Sequence, residues 1–411
     1  MGCGMGRADL RMAEIWDDHI RSVGDRSPWC IARLPADGHL SLVTTVTGLE
    51  ALESNWRDLE ARHGRPHNVF QSFDWIKNWI SCYADASQSP AIITGHRSGR
   101  LVFVWPLMRV QMGPTKVLRW LSEPLAQYGD ILLDSAERTE VWCDAALELL
   151  RAERVGDLLW LRHVRDDAAI KNHALAAFHS ARLSEQAPWL DLSAFAGDAA
   201  YDARYSSSQR KRRKKIRKSL EDDIGPVTFD ILPPGAELDA AIHQAVAEKS
   251  QWVNERGRHN AILGCQRLPG FLSAMSHAAT GAGLTVTCLK AGGKPVSWEL
   301  GLRYGKTHFA FITSHVNALT DYSAARLHMD QSQRRALQDG LTTFDLMVPN
   351  DEYKESWSSS VMGTNDYHLP LTTAGWVFGR LYLEALRPVL RAAYYRLPES
   401  ALRALKPVIG H

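Results

Sequence analysis

The chain has 411 residues and lacks a C-x-x-C pair, a long apolar run and an excess of either charge. Its six cysteines, Cys3, Cys30, Cys82, Cys143, Cys265 and Cys288, are scattered. That spacing argues against a disulfide frame or a zinc ribbon and suits reduced thiols in a cytoplasmic protein. A membrane-spanning helix needs about 20 apolar residues, and no stretch approaches that length. The N-terminus has no basic-then-apolar secretion signal. A net charge of +2 makes no overall case for DNA, so an anionic partner must be met by a local patch. Other chemistries are missing their motifs: there is no G-x-S-x-G, no H-E-x-x-H and no Walker loop. The nearest approach to the H-x-x-x-x-D of glycerolipid acyltransferases, His315 to Asp321, has one residue too many. No metal is expected.

The chain is rich in apolar residues, 45% of the total, enough for two cores because single cores stop growing at about 250–300 residues. The second half is the more legible. It reads as a strand over 227–232, helices over 237–253 and 266–280, and strands over 284–290, 295–304 and 306–315. The strands are broken by the turn formers Ala291-Gly292-Gly293-Lys294 and Tyr304-Gly305-Lys306. An amphipathic helix over 323–339 follows, stopped by Gly340, and a last strand ends in Phe344-Asp345-Leu346. In the first half, little periodicity precedes residue 40. Thr47 and Glu50 read as a capping box, Ser72 as a second helix cap, and Ser98-Gly99 as a hairpin turn. A helix near 140–154, a strand near 157–164 and a helix near 167–181 complete it. This α/β content with a mixed sheet repeats that of the second half, so the expected organisation is an extension (1–40), two similar halves (41–200 and 201–370) and a tail (371–411).

The order strand, helix, helix, three strands, helix, strand resembles the acyl-CoA N-acyltransferase (GNAT) core. Local residues resemble its double-domain branch, which includes the CelD-type proteins of exopolysaccharide operons and, more distantly, the Fem-type aminoacyl transferases. The likeness rests on Asn68-Val69-Phe70-Gln71-Ser72-Phe73-Asp74-Trp75, Tyr128-Gly129-Asp130, the basic run 210–218, Gly293-Lys294-Pro295-Val296, Tyr322-Ser323, Phe344-Asp345 and Tyr353-Lys354. It implies two tandem GNAT-like halves and acyl-CoA as co-substrate. Adjacent strands should splay to receive the pantetheine arm, with the next helix start at the pyrophosphate. That start is Tyr322-Ser323-Ala324-Ala325-Arg326, where relatives of this branch carry Ser-Pro-Gly. Orphan amides at a helix start favour an anion, and Arg326 adds charge.

Amide formation needs a proton acceptor for the amine and charge stabilisation at the thioester. The candidates are Glu299, on a polar strand face with Ser297 and Arg303, and His315 at the next strand end, whose ordinary pKa of about 6.5 suits proton transfer. Lys354 matches a Tyr/Phe-Lys position that, in the resembling families, steadies developing negative charge. Asp345 and Tyr353 are expected at the acceptor. The run Arg210-Lys211-Arg212-Arg213-Lys214-Lys215-Ile216-Arg217-Lys218 holds eight cations in nine residues, and Arg213 and Lys214 are its candidate contacts to a phosphate-bearing substrate or an anionic membrane. In the tail, Trp376, Phe378, Leu381, Tyr382, Leu386, Val389, Leu390 and Tyr394 alternate with Arg380, Arg387, Arg391 and Arg396 in a basic amphipathic helix, expected to kink at Pro388.

The function expected is acyl-CoA-dependent N-acylation of an envelope amine, either an amino sugar of a polysaccharide or a lipid amine such as a sphingoid base. The partners would be a small acyl donor and an amine acceptor, with peripheral contact at the inner face of the cytoplasmic membrane and no DNA. Two alternatives stay open: Fem-like transfer from charged tRNA, and a non-catalytic accessory of exopolysaccharide (cellulose) synthesis.

Overall fold

The computed structural model describes residues 37–84, 88–172, 178–256, 262–278 and 282–396, together with Leu34, Leu175 and Asn260. Most of the expected extension, Cys3 and Cys30 included, and the tail beyond 396 lie outside these residues. The chain divides into two compact units, 1–184 with 364–389, and 185–363 with 390–411.

The first unit opens with strand β1 (Gly38–Val43), helices α1 (Val46–Ala51) and α2 (Glu53–His63), and α3 (Phe73–Tyr83). Thr45, not Thr47, caps α1 by accepting from the Gly48 amide, and the chain bends at Leu52, so the capping box read from Thr47 and Glu50 is two residues too late. Ser72 caps α3 through the Trp75 amide. Strands β2 (Gln88–Arg97), β3 (Arg100–Met112) and β4 (Thr115–Trp120) form an antiparallel meander, its first turn made by Ser98 and Gly99 at φ 49° and 77°. The short β5 (Leu132–Leu133) pairs with β3, then α4 (Thr139–Ala152) leads to β6 (Leu158–Arg165), parallel to β4. The helix expected over 167–181 is replaced by one 3-10 turn, Ala169–Asn172, and a strand from His179. The buried Asp130 carboxylate explains the turn: it accepts the Ala169 and Ile170 amides and bonds His67, fixing the backbone before a helix can propagate. Asn68, Gln71 and Tyr128, among the residues that carried the family likeness, belong to this same buried network.

The second unit takes strand β7 (His179–Asp191) from Glu185 onward, then α5 (Asp198–Ala203), α6 (Ser207–Asp223), β8 (Val227–Leu232), α7 (Ala236–Glu255) and α8 (Leu268–Ser276). The antiparallel strands β9 (Gly283–Ala291), β10 (Lys294–Tyr304) and β11 (Thr307–His315) follow, then α9 (Ala324–Gln338), β12 (Thr343–Asp345) and the single turn α10 (Glu352–Glu355). The sheet order is β7-β12-β11-β10-β9-β8, antiparallel throughout except for the parallel pair β11–β12. The expected boundary at residue 200 moves to 184 because Leu190, Leu192, Tyr201 and Tyr205 pack with Met329, Phe344 and Trp357 of this unit.

Strand β13 (Ser360–Pro370) returns to the first unit and pairs antiparallel with β6 from Thr364 to Pro370. Helix α11 (Thr373–Phe378) continues through a π-helical stretch, Gly379–Leu386, into α12 (Arg387–Arg396). The wide turns answer Pro388, whose ring would meet the Glu384 carbonyl in a regular α-helix. Leu383 packs with Val117, Leu158 and Trp160, which joins this segment to the first core rather than to a separate tail.

Candidate active site

Strands β11 and β12 stay together for three residue pairs, from Thr307↔Thr343 to Phe309↔Asp345, and then part. β11 runs on through residues 310–315 without β12 beside it. A small pocket of ≈ 70 Å³ lies at this divergence, with contributions from several elements. Strand β10 gives Ser297, Trp298 and Glu299, and β11 gives Thr313. Helix α9 gives Ala325, Arg326, His328 and Met329, and the turn at α10 gives Tyr353 and Trp357. Because Glu299 pairs with Thr313, and Ser297 with His315, these polar side chains share one sheet face by alternation.

Glu299 is 1% exposed, and its Oε1 meets His308 Nε2 at 2.7 Å. Its Oε2 has no well-formed hydrogen bond, and the Ser332 hydroxyl stands close enough to favour the ionised form. Burial pushes the carboxyl upward, but His308, with help from His328 and Ser332, holds it below the usual range. His328 bonds Thr287 Oγ1 at 2.8 Å, and burial pushes its pKa down to about 4, so it is a neutral imidazole. Tyr353 is part exposed while its hydroxyl bonds Thr313, and burial, Asp351 and Glu299 push it up to about 12. A carboxylate that can accept a proton and a phenol that can give one therefore face the same small volume.

The other predicted residues surround this pocket in different ways. Ala325 and Arg326 line it, and Arg326 is exposed. Ala324 is buried against Leu220 and Leu327, Ser323 sits in the left-handed region at φ 55°, and the Tyr322 hydroxyl bonds Asp223. His315 lies at the strand end, outside the lining, 3.3 Å from Thr320 Oγ1. Burial, Lys249 and Arg256 lower its pKa. Lys354 is 7% exposed, and its ammonium donates to the carbonyls of Met347 (2.9 Å) and Pro349 (2.7 Å). It thus ties down a loop in which Met347 holds φ 61°, and Asp345 caps the same loop through the Met347 amide at 2.7 Å. Arg213 lies behind the pocket wall, over the rings of Tyr205 and Trp357 and 3.1 Å from Asp330. Lys214 is exposed on α6, and Arg303 pairs with Asp339 rather than with Glu299.

His308, His328, Thr313 and Trp357 are site residues that spacing alone did not single out. Gly301 was the available signal, a glycine inside a strand two residues after Glu299. A Cβ there would lie 2.3 Å from His308 Cε1, so only glycine lets the imidazole cross to the carboxylate.

A family model described as "Acetyltransferase (GNAT) domain" matches residues 207–355, the span that contains the pocket. No curated protein matches the sequence. Among solved structures, the chain is similar to FemX at 12% identity, with TM-score 0.56 and 84% of this chain covering 100% of that one. It is also similar to the C-terminal DUF2156 domain of an Agrobacterium fabrum protein described as a lysylphosphatidylglycerol synthetase (12% identity, TM-score 0.52, 81% and 95% covered). A Bacteroides thetaiotaomicron protein of unknown function is alike at 12% identity and TM-score 0.52, with 80% and 99% covered. At these identities the likeness shows the fold alone: the chain has a GNAT-superfamily acetyltransferase fold.

Lys354 yields a test of the loop's anchoring. In K354M the carbonyls of Met347 and Pro349 lose their donor, which should cost about 1–3 kcal/mol in urea unfolding at pH 7. Burial lowers the Lys354 pKa to about 8, so the folded protein releases that proton before the unfolded chain does. Between pH about 8 and the unfolded value of about 10.4, the parent should therefore gain stability relative to K354M. A constant difference across that window would show that the ammonium is not held as described.

Proposed function

We propose that the protein is an acyl-CoA-dependent N-acyltransferase whose chemistry takes place in the second unit. The observation that carries this reading is the meeting of Glu299 and Tyr353 in one pocket at the edge that β11 presents where β12 leaves it. The thioester would lie along that edge, with the pyrophosphate at the start of α9 and beside Arg326. An incoming ammonium passes a proton to Glu299 Oε2, and the freed nitrogen attacks the thioester carbonyl. The carbon–sulfur bond then breaks, the departing thiolate takes the Tyr353 proton, and the tyrosinate takes the second proton from the new amide nitrogen. Glu299 returns its proton to solvent once the amide has left. Asp345 and Lys354 hold the loop carrying Tyr353, and Arg213 supports Trp357. Lys249 and Arg256 act on His315 at the strand end, and this cationic group suits a second anionic part of the donor, apart from the pyrophosphate.

The first unit repeats the strand pairing of the second. A four-strand antiparallel meander, a helix, a parallel strand and one antiparallel neighbour recur as β1-β2-β3-β4-β6-β13 and as β8-β9-β10-β11-β12-β7. This supports a tandem origin of the two halves.

For the acceptor, a lipid amine is favoured over an amino sugar by the helical segment after β13. Trp376, Val377, Leu381, Leu386, Val389 and Leu390 are 42–65% exposed there, six of the nine large apolar residues exposed among the described ones. Arg380 on this segment is paired with Glu384 at 2.6 Å, so the face is apolar with no added net charge from that residue. No helix among the described residues is long and apolar enough to cross a membrane, and such a face suits the surface of an anionic monolayer. The exposed cations of α6, Lys214 among them, suit the same surface or a substrate phosphate.

With acetyl-CoA as donor and sphinganine or glucosamine as probe amine, E299Q should slow thiol release about a hundredfold while leaving the acetyl-CoA dissociation constant unchanged. Parent-like turnover in E299Q would remove Glu299 from the reaction, and a parent that binds no acetyl-CoA would overturn the donor assignment. In flotation with vesicles containing phosphatidylglycerol, the parent should float and the L381D/V389D variant should stay in solution. Equal behaviour of the two would exclude this face from membrane contact.

A further inference from the structure

A carboxylate sealed in an apolar pocket tends to hold its proton, because burial penalises the charged form. Glu299 can accept a proton from an amine only if something keeps it ionised beforehand. No lysine or arginine lines the pocket near it except the exposed Arg326. The groups that face it are His308 from β11, His328 and the uncharged Ser332 from α9, and Tyr353 from α10, and β9 adds only the uncharged Thr287 next to His328. Of these, His308 alone makes a well-formed hydrogen bond to it, at 2.7 Å.

The surroundings of His308 are built for that contact. The ring is 3% exposed and stacks on Phe344 with centroids 4.7 Å apart and planes 25° from parallel. Phe344 lies directly beside His308 in the parallel pair of β11 and β12. On the other side the β10–β11 register slips between Leu300 and Leu302, and Gly301 leaves the space through which the ring reaches Glu299. A methyl group there would lie 2.6 Å from Nε2. The opposite ring nitrogen, Nδ1, has no partner, so the imidazole's one polar engagement is with the carboxylate.

We propose that His308, seated by Gly301 and Phe344, is the positioning residue that keeps Glu299 ionised and turns its second oxygen to the incoming amine. The inference rests on the assignment of Glu299 as proton acceptor, yet it concerns a property of the free enzyme and can be read without substrate. It also explains the small residue at 301, which contributes nothing to strand packing. In this arrangement the amine meets an oxygen that is not already committed, since His308 occupies only Oε1.

The test is a pH titration of the glutamate side-chain carboxyl carbons by 13C NMR on the full chain, with the Glu299 signal identified by its loss in E299Q. In the parent, Glu299 should titrate below the ordinary carboxyl value for glutamate. In H308L its midpoint should rise by about one pH unit or more, because burial is then unopposed. H308Q, which keeps a donor near the Nε2 position, should recover part of the shift. G301A keeps the imidazole but drives it off the carboxylate, and should move the midpoint in the same direction as H308L. A merely structural role for His308 would alter stability and leave the midpoint in place. Unchanged midpoints in H308L and G301A would overturn the proposal, and if H308L does not fold, an unchanged G301A overturns it alone. Loss of turnover in E299Q beside unchanged midpoints would leave Glu299 as the acceptor and remove His308. Shifted midpoints beside parent-like turnover in E299Q would do the reverse.

Discussion

Two neighbouring strands that part leave backbone groups and side chains without the partners that a sheet supplies, so the separation has to be held open by other bonds. In this protein β12 turns away from β11 after Asp345, and that divergence organises the second unit. Asp345 takes the amide of Met347, and Lys354 takes the carbonyls of Met347 and Pro349. The short helix α10 and Trp357 then fill the space, with Gln333 of α9 bonding the Trp357 carbonyl at 2.9 Å. Removing a buried lysine from such a position would leave two carbonyls without their donor, together at roughly 1–3 kcal/mol because the bond to Pro349 is only partly buried. The pocket exists because these bonds stabilise the loop away from the strand edge.

Electrostatics grade across the unit in keeping with this geometry. At the pocket floor the charge is buried, and paired with imidazoles rather than with permanent cations. Behind the wall, Arg204, Arg213 and Arg334 stack on Tyr201, Tyr205 and Trp357; Arg213 and Arg334 share Asp330, Arg334 also pairs with Asp202, and Arg204 donates to Gln333. Burial lowers the pKa of Arg204 and Arg213, and the stacking offsets part of that penalty. Helix α6 hence turns one arginine inward while Lys211, Arg212, Lys214, Lys215 and Lys218 remain in solvent. Its inward Ile216 and Leu220 pack with Ala324 and Leu327 at the start of α9, which fixes a basic surface beside a helix N-terminus.

Much of the second unit was legible in the sequence because its signals are local. Two-residue glycine turns set both hairpins, and the strands predicted over 284–290, 295–304 and 306–315 differ from β9, β10 and β11 by one residue at most ends. Glu299, Ala325, Arg326 and Tyr353 were named from their order along the chain, and they line one pocket. His308 was not, because its role depends on a register slip across β10 that no periodicity reveals. The geometry of Lys354 likewise depends on which carbonyls a tertiary turn presents. The first unit was harder, since a polar side chain, Asp130, redirects a segment whose helical pattern is otherwise adequate. The division at residue 184 was hidden for a related reason: a strand's partners, not its composition, decide the unit to which it belongs.

The central claim is that the acyl donor occupies the edge of β11 beyond its last pair with β12. Hydrogen–deuterium exchange on the full chain, with and without saturating acetyl-CoA, examines it most directly. Amides in residues 310–315 and at the start of α9 should exchange about tenfold more slowly when the donor is bound, while β1 and β2 in the first unit keep their rates. Protection confined to the first unit, or none at the β11 edge under conditions where acetyl-CoA is bound, would contradict the account.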